Sequence, residues 1–507
     1  MFMDTSLVEY NTHELKKETW KMKDTELLEI LKVCEKLKEN TRHCVLSNGR
    51  EESVAEHSWR MTLMAFFMQD EFARLDFKKI YEMCLIHDLG EAFTGDIPTF
   101  LKSTADEETE ESVLNTWMNS ISEPYRAALK NLYKEMDAQE TLESRVYKSL
   151  DKLEALISHN ESDISTWLPL EYGLQREYGN DVVKDIPYLQ HLRDTVRKDS
   201  NKKIEEERQQ GSAFLKTLQK IKSITLKTLR IEELQKDIYH IEDPFCSTPS
   251  SMYYIDGEKE GLWIDGANPV HPGSVQEKEL QYLLEELTYH KKLSVFISHS
   301  HRDHTGFLSD THLFENIDIH HIYISRKDYV DDAELFLNGV SALQPYAVRI
   351  VFVQSSDTVE VDGKLYTVLD TPPHTKGSIS LVDDVHQCVF TADAFGSGYV
   401  WVFWNEESNP LKVLEQSCQK VLDRAKGYRL FPGHRYQQFL KEDPLRCEDI
   451  DTTYLEDMLE VIHGLKDITT QWVPYKERGN KDDIFLFLPD KKAKICTTKQ
   501  ILHQFCK

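Results

Sequence analysis

The stretch LSVFISHSHRDH, Leu293–His304, joins an apolar run to six positions that hold three histidines and an aspartate. A short apolar run with β-branched and aromatic members, Leu293–Ser298, reads as a buried strand. On extended backbone, residues two apart face the same side, so His299 and His301 can grip one metal together. Beyond the bend, Asp303 and His304 can turn toward a second. Downstream, TPPHTKGS holds His374, VFTADAFGSG holds Asp393 and LFPGHRY holds His434. Each follows a β-like run and sits in a loop bearing Gly or Pro. Ligands at strand ends make a rigid, open site. The sum is one metal held by His299, His301 and His374 and a second by Asp303, His304 and His434, with Asp393 as a bridge. Two metals about 3.5–4 Å apart hold a bridging hydroxide, a nucleophile at neutral pH.

Chance does not readily supply such a set. The chain has 20 histidines, and most of the others are scattered. Only His320 and His321 are adjacent, and both fit an alternating strand in IHHIYIS.

Around this motif the chain is rich in strands. IYHI, MYYI, GLWID, HIYIS, RIVFV, YTVLD, ISLV and CVFTA are short β-prone runs. Turn signals such as Asp256-Gly257 and Asp362-Gly363 separate them. Helical stretches, Gln276–His290 and Leu411–Ala425, interrupt them. The first two hundred residues differ in kind. Val146, Leu150, Leu153 and Ile157 recur at spacings of three and four, the mark of an apolar helix face. Asp106–Met118 opens with acids, which suit a helix start. Between the halves, residues 197–222 are charged and poor in bulky apolar groups. The expected order is therefore a helical domain over 1–200, a charged linker over 201–228 and an α/β domain over 229–507. A tail from about residue 440, with Trp472, Tyr475 and the IFLFLP run, is expected to cap a site.

The helical half carries its own ligand set. ESVAEHSWRM supplies His57, CLIHDLGEAFTGDIPTF supplies His87 and Asp88, and YKSLDKLEAL supplies Asp151. Two imidazoles and two carboxylates suit Mn²⁺, Co²⁺, Fe²⁺ or Zn²⁺ and leave positions open for water and phosphate oxygen. His87 and Asp88, being adjacent, cannot share a helix face; they can meet one metal only where a helix ends. Glu91 lies one helical turn past His87 and can serve as a general base. Asp96, in GDIP, can place a substrate hydroxyl. Taken singly, each is an ordinary helix-end polar group; together, each beside an apolar helix, they point to a metal.

These segments resemble the HD-domain metal-dependent phosphohydrolases, over roughly residues 25–195. The branch that holds the 5′-deoxynucleotidases carries the same E-x-V-A/S-E/D-H, H-D-x-x-E-x-x-x-G-D-I and D-K motifs. The resemblance implies an all-α bundle in which one divalent metal is bound by His57, His87, Asp88 and Asp151. It implies Glu91 as the acid/base group and Asp96 as a sugar contact. It also implies a phosphate-binding basic residue before the first histidine, where Arg42 stands. The Trp that some nucleotidases carry next is replaced here by His43-Cys44-Val45. The second half, over about 230–440, resembles the metallo-β-lactamase superfamily through its H-x-H-x-D-H motif and the later His, Asp and His. That implies an αββα sandwich with two divalent metals (Zn, Fe or Mn), and Asp303 counts as catalytic as well as a ligand.

The joint expectation is a bifunctional metallohydrolase. The first domain would remove phosphate from 5′-deoxynucleoside monophosphates. The second would hydrolyse an ester, thioester, lactone or phosphodiester. The competing reading makes the first domain a regulatory nucleotide-binding module, against which Glu91 argues, since binding alone needs no base.

Composition bounds the partners. The chain has 507 residues, and the formal net charge is −26. A field of that sign repels polyanions, so long nucleic acid is not expected, whereas a metal can draw a small anion into a pocket. The nine cysteines form no CxxC pair and read as reduced thiols. The first residues lack a signal peptide's apolar stretch, and no run is long enough to span a bilayer. A cytoplasmic location is the resulting expectation, with a homodimer suggested by resemblance alone.

Overall fold

The computed structural model describes residues 22–506 apart from 245, 247, 310–312, 404–408, 436–448, 467–468 and 477–478. The chain divides into two compact units between Glu207 and Arg208.

The first unit is helical. Its elements are α1 (Asp24–Glu39), the hairpin β1 (Thr41–Val45) and β2 (Glu51–Ser53), α2 (Val54–Met68), α3 (Phe77–Ile86), the short α4 (Glu91–Thr94), α5 (Thr104–Ser120), α6 (Tyr125–Ala138), α7 (Leu142–Glu161), α8 (Pro169–Glu177), the short α9 (Asn180–Val183) and α10 (Pro187–Gln209). Met61 of α2, Ile80 of α3 and Leu150 of α7 are fully buried in one core. Local chemistry sets the helix starts. Ser53 and Glu56 form a reciprocal capping box at the head of α2, and Ser103 and Asp106 do the same for α5. Each box satisfies backbone donors that the first turn leaves unpaired.

The second unit begins with α11 (Ala213–Ile221) and the strands β3 (Ser223–Thr225), β4 (Arg230–Gln235), β5 (Ile238–Glu242), β6 (Ser251–Ile255) and β7 (Glu260–Ile264). Then come α12 (Val275–Leu287), β8 (Lys292–Phe296), α13 (Arg302–Thr305), β9 (Asp318–Ser325), α14 (Arg326–Tyr329), α15 (Ala333–Leu337) and β10 (Ile350–Val353). The strands from β3 to β10 form one sheet of eight, in the order β10-β9-β8-β7-β6-β5-β4-β3. A second sheet holds β11 (Thr358–Val361), β12 (Lys364–Asp370), β13 (Ile379–Asp383), β14 (Cys388–Ala392), β16 (Arg429–Pro432) and β17 (Ile450–Asp451). A smaller sheet, β15 (Val400–Trp401), β18 (Gln471–Pro474), β19 (Asp483–Phe487) and β20 (Lys494–Thr498), accompanies α16 (Pro410–Ala425), α17 (Thr453–Gly464) and α18 (Lys499–Phe505).

The two-residue period of the strands builds the layers. On β8, Leu293 and Val295 join the core shared with α12, while Phe296 points into the core between the two large sheets. On β14, Val389 packs toward α16 and α17 while Phe390 faces the inner core. Helices thus cover both outer faces, and the unit is an αββα sandwich. All nine β-prone runs of the sequence, LSVFIS included, become strands.

Two stretches that the sequence left loosely defined take definite form. The stretch 201–228 continues α10 to Gln209, then forms α11 and β3. Buried positions Leu189, Val196, Ser200 and Ile204 line one stripe of α10, and Leu218 of α11 is fully buried. Dense charge on the exposed faces masked this sparse apolar period. The tail beyond 440 is likewise built in: Ile484, Leu486 and Ile495 sit in the core with α16–α18. The described part of the tail reaches the site through β15, which pairs with β20. Residues 436–448 lie outside the described residues.

Candidate metal centres

In the first unit, α2, α3 and α7 deliver the expected ligands to one place. His57 is the fourth residue of α2 and is buried. His87 is the residue on which α3 ends, and Asp88 follows as the backbone leaves the helix. That is how adjacent residues come to face one point. His57, His87 and Asp88 each offer an atom within 4.8 Å of the others. Asp151 of α7 closes the set, with Oδ1 3.3 Å from His57 Nε2 and 3.8 Å from His87 Nε2. His87 Nδ1 faces the Cys84 carbonyl at 3.0 Å, so Nδ1 carries the proton and Nε2 keeps a lone pair. That Nε2 is buried and lies 2.9 Å from Asp88 Oδ2, without a well-aligned hydrogen bond among the described residues. A soft-edged nitrogen left bare beside two carboxylates fits a bound cation.

Three side chains that sequence reasoning passed over support this set. Glu154, one turn beyond Asp151 on α7, takes His57 Nδ1 in a very short contact. Lys148, one turn before, donates to Asp151 Oδ2 at 2.8 Å. Glu52 accepts from Arg42 Nη1 at 3.0 Å. The only signal in the sequence was their i±3 spacing from Asp151, and for Glu52 its place beside the α2 cap. Burial disfavours the Arg42 charge, but Glu154, Glu52, Asp88 and Asp151 more than offset that and raise it. Glu91 opens α4 and is buried. Burial first, then Asp88, Asp96 and Glu110, push its carboxyl up to about 10. Burial likewise raises Asp96. A crowd of carboxylates that cannot all ionise is a second sign of a cation's place. A cleft of 760 Å³ opens beside His87, lined by Lys102, Glu110, Tyr133 and Tyr147.

In the second unit, the seven expected ligands converge as two overlapping groups. His299, His301, His374 and Asp393 lie within one span of 4.8 Å, as do Asp303, His304, Asp393 and His434. Asp393 belongs to both. Its Oδ1 is 3.3 Å from His304 Nε2, and its Oδ2 is 3.3 Å from His434 Nε2 and 3.4 Å from His374 Nε2. His434 Nε2 also stands 3.4 Å from Asp303 Oδ2.

The rear of four of the five rings is pinned; His301 instead turns Nδ1 to His374 Nε2 at 2.9 Å. His374 Nδ1 faces the Trp401 carbonyl at 3.3 Å, and His434 Nδ1 faces the Pro249 carbonyl at 2.8 Å. His299 Nδ1 meets the Ser298 hydroxyl at 2.9 Å. His304 Nδ1 meets Asp265 Oδ2 at 2.9 Å. Asp265 also accepts from the Ser298 amide and hydroxyl, both at 2.8 Å. Such partners fix the tautomer and aim Nε2 forward, as around metal-bound histidines. Asp265 was visible in the sequence only as the acid closing GLWID. The buried Nε2 atoms of His299 and His304 and Oδ1 of Asp393 have no hydrogen-bond partner among the described residues. Burial, then the neighbouring His304 and His374 rings, hold His299 well below the usual imidazole range. Burial resists ionisation of Asp393, yet His434 and His304 outweigh it and hold the carboxylate well below its usual range. Burial opposes a charge on His304 and His434, yet Asp393 beside both outweighs it and raises them, His304 to about 10, so a metal at their Nε2 atoms would have to displace those protons.

Gly433 shows how tightly the second group is built. A Cβ there would stand 2.3 Å from Asp393 Oδ1 and 2.6 Å from His304 Cε1.

Comparison with known proteins agrees with both halves. Residues 34–193 match the HD domain family and residues 248–434 the metallo-beta-lactamase superfamily. The 5'-deoxynucleotidase HDDC2 of Dictyostelium discoideum is 31% identical over 144 residues, 26% of this chain and 76% of that protein. HDDC2 of Homo sapiens is 30% identical over 114 residues, 22% of this chain and 55% of that protein. The human acyl-coenzyme A thioesterase MBLAC2 is 25% identical over 234 residues, 40% of this chain and 80% of that protein. Among the described residues no helix is long and apolar enough to cross a membrane.

Proposed function

From the premise that this chain belongs to the HD-domain family and carries a metallo-β-lactamase superfamily hydrolase after it, we propose two hydrolytic activities on one chain. Residues 1–200 remove phosphate from 5′-deoxynucleoside monophosphates. Residues 229–507 hydrolyse an acyl thioester, the substrate class in the name of the human thioesterase relative. The observation that carries the reading is the unpartnered, rear-pinned Nε2 of His87 in the first unit and of His299 and His304 in the second, each beside carboxylates.

His57, His87, Asp88 and Asp151 would hold one divalent metal. His299, His301 and His374 would hold a second, and Asp303, His304 and His434 a third, with Asp393 shared. Bound there, divalent metals supply Lewis acidity and lower the pKa of water. The chain's own residues do the rest. In the first unit, Arg42 is charged at all working pH values and orients the phosphate. Asp96 accepts a hydrogen bond from the sugar hydroxyl. Glu91, whose carboxyl would ionise once a cation offsets its acidic neighbours, takes a proton from the attacking water and returns it to the departing 5′-oxygen as the P–O bond breaks. In the second unit, Asp303 takes the proton of the water that adds to the acyl carbon and returns it to the sulfur as the C–S bond breaks, releasing the thiol and the carboxylic acid.

The test uses the full chain. Phosphate release is measured over a panel of 5′-deoxynucleotides, and thiol release over acyl-coenzyme A substrates. Asp88→Asn should remove the first signal and His301→Ala the second. Loss of neither would defeat the assignment.

A further inference from the structure

The turns that carry the first group of ligands in the second unit leave different sheets. His299 and His301 follow β8 of the eight-stranded sheet, and His374 follows β12 of the second. A third segment joins them. Asp328 lies on α14, directly after β9, and its carboxylate accepts from both turns. Oδ2 takes the Ser300 amide, between the two histidines of the first turn, at 2.9 Å, and the Thr375 hydroxyl at 3.1 Å. Oδ1 takes the Gly377 amide at 2.7 Å. We propose that Asp328 is a positioning residue: by tying the Ser300 turn to the turn after His374, its carboxylate sets the gap in which His299, His301 and His374 converge on one metal. Its role rests on those three being ligands of one metal, the reading given above.

The surroundings fix this carboxylate in place. The Asp328 amide donates to Oγ of Ser325, the residue that caps α14, at 3.4 Å. Lys327, its neighbour, pairs instead with Asp370 Oδ2 at 2.7 Å. An ionised acceptor makes shorter and stronger hydrogen bonds than a neutral one, so three donors on one carboxylate hold the two turns firmly. Gly377 has no room for a side chain. A Cβ there would stand 2.5 Å from both Asp328 Oδ1 and Ser325 Oγ, inside the floor of 3.0 Å for real contacts. The glycine thus lets its amide come up against the carboxylate. Behind the turns, the Ile379 amide donates to the Ser298 carbonyl at 2.9 Å and joins the strand ends. Asp328 extends that tie outward to the ligand-bearing residues. The spacing of the ligands agrees. His301 Nδ1 and His374 Nε2, from turns of different sheets, stand 2.9 Å apart. Nitrogens bound to one tetrahedral zinc stand about 3.3 Å apart.

Metal affinity tests this role without any substrate. Full-length protein is stripped, reloaded with Zn²⁺ and titrated with a chelating dye. His301→Ala should lose about one equivalent. Asp328→Ala should weaken the binding of one equivalent by about 10–100-fold, the usual effect of losing a residue behind a ligand, and leave the others unchanged. Asp328→Asn is nearly isosteric but keeps only one acceptor oxygen, so it should weaken the same equivalent by less. Gly377→Ala presses on the same carboxylate from the other side and should act on that equivalent too. Combined with His301→Ala, Asp328→Ala should cause no further loss, since both act at one metal. Wild-type zinc affinity in either folded Asp328 variant, a loss spread over all equivalents, or an additive loss in the double variant would overturn the positioning role, even with the expected loss in His301→Ala. No loss in His301→Ala would instead overturn the ligand reading beneath it.

Discussion

Replacing Gly433 by Ala adds one carbon at the point where two ligands meet. That carbon would lie 2.3 Å from Asp393 Oδ1 and 2.6 Å from His304 Cε1, against a floor of 3.0 Å for real contacts. Oδ1 must therefore retreat by at least 3.0 − 2.3 = 0.7 Å. His304 cannot yield freely, because Asp265 holds its Nδ1 at 2.9 Å. The backbone of Gly433 cannot simply withdraw, since its amide donates to the Ala392 carbonyl at 2.8 Å and its carbonyl accepts from the Ser251 amide at 2.7 Å. Displacing reacting groups by about 1 Å costs about 10²-fold in rate. Gly433→Ala should thus lower thioester hydrolysis by about that factor. It should also weaken the metal shared through Asp393, read by competition with a chelating dye. Deoxynucleotide hydrolysis on the same chain serves as the internal control and should be unchanged. Wild-type turnover with wild-type metal affinity in Gly433→Ala would refute the claim that this glycine is required by close packing at the site.

Other outcomes follow from the same contacts. Asp88→Asn removes a ligand with little change of shape and should abolish phosphate release; Glu91→Ala should keep the metal, measured by elemental analysis, yet slow turnover by about 10²–10⁴-fold. Glu154→Gln weakens the acceptor behind His57 and should reduce metal affinity of the first unit by about 10–100-fold, measured by calorimetric titration. Each unit gathers its own group of candidate ligands, so His301→Ala should leave deoxynucleotide hydrolysis within about twofold. A tenfold loss there would mean about 1.4 kcal/mol of coupling and argue for regulation of one activity by the other.

Much of this was already present in the order of residues. A strand announces itself through a two-residue period and a helix through spacings of three and four, and both are local properties. Candidate ligands at strand ends are equally local, so HSHRDH stood out before any fold was known. The same held for His87-Asp88 with Glu91 one turn later. What the order of residues could not convey is which distant side chains stand behind these ligands. Glu154 lies 97 positions from His57, and Asp265 lies 39 from His304. No periodicity links such pairs; only packing does. The helical form of the stretch 197–222 was hard to read for a related reason. Its few buried residues form a helical stripe whose meaning depends on what lies against it, and charge on the other faces dominates the composition. The cluster of His43, His159 and Glu171 is the extreme case. Each residue alone is unremarkable, and their meeting arises because β1, α7 and α8 pack together in three dimensions. Burial then decides their chemistry, since desolvation and neighbouring charge, both properties of the packed chain, set which atoms carry protons and which are left to bind.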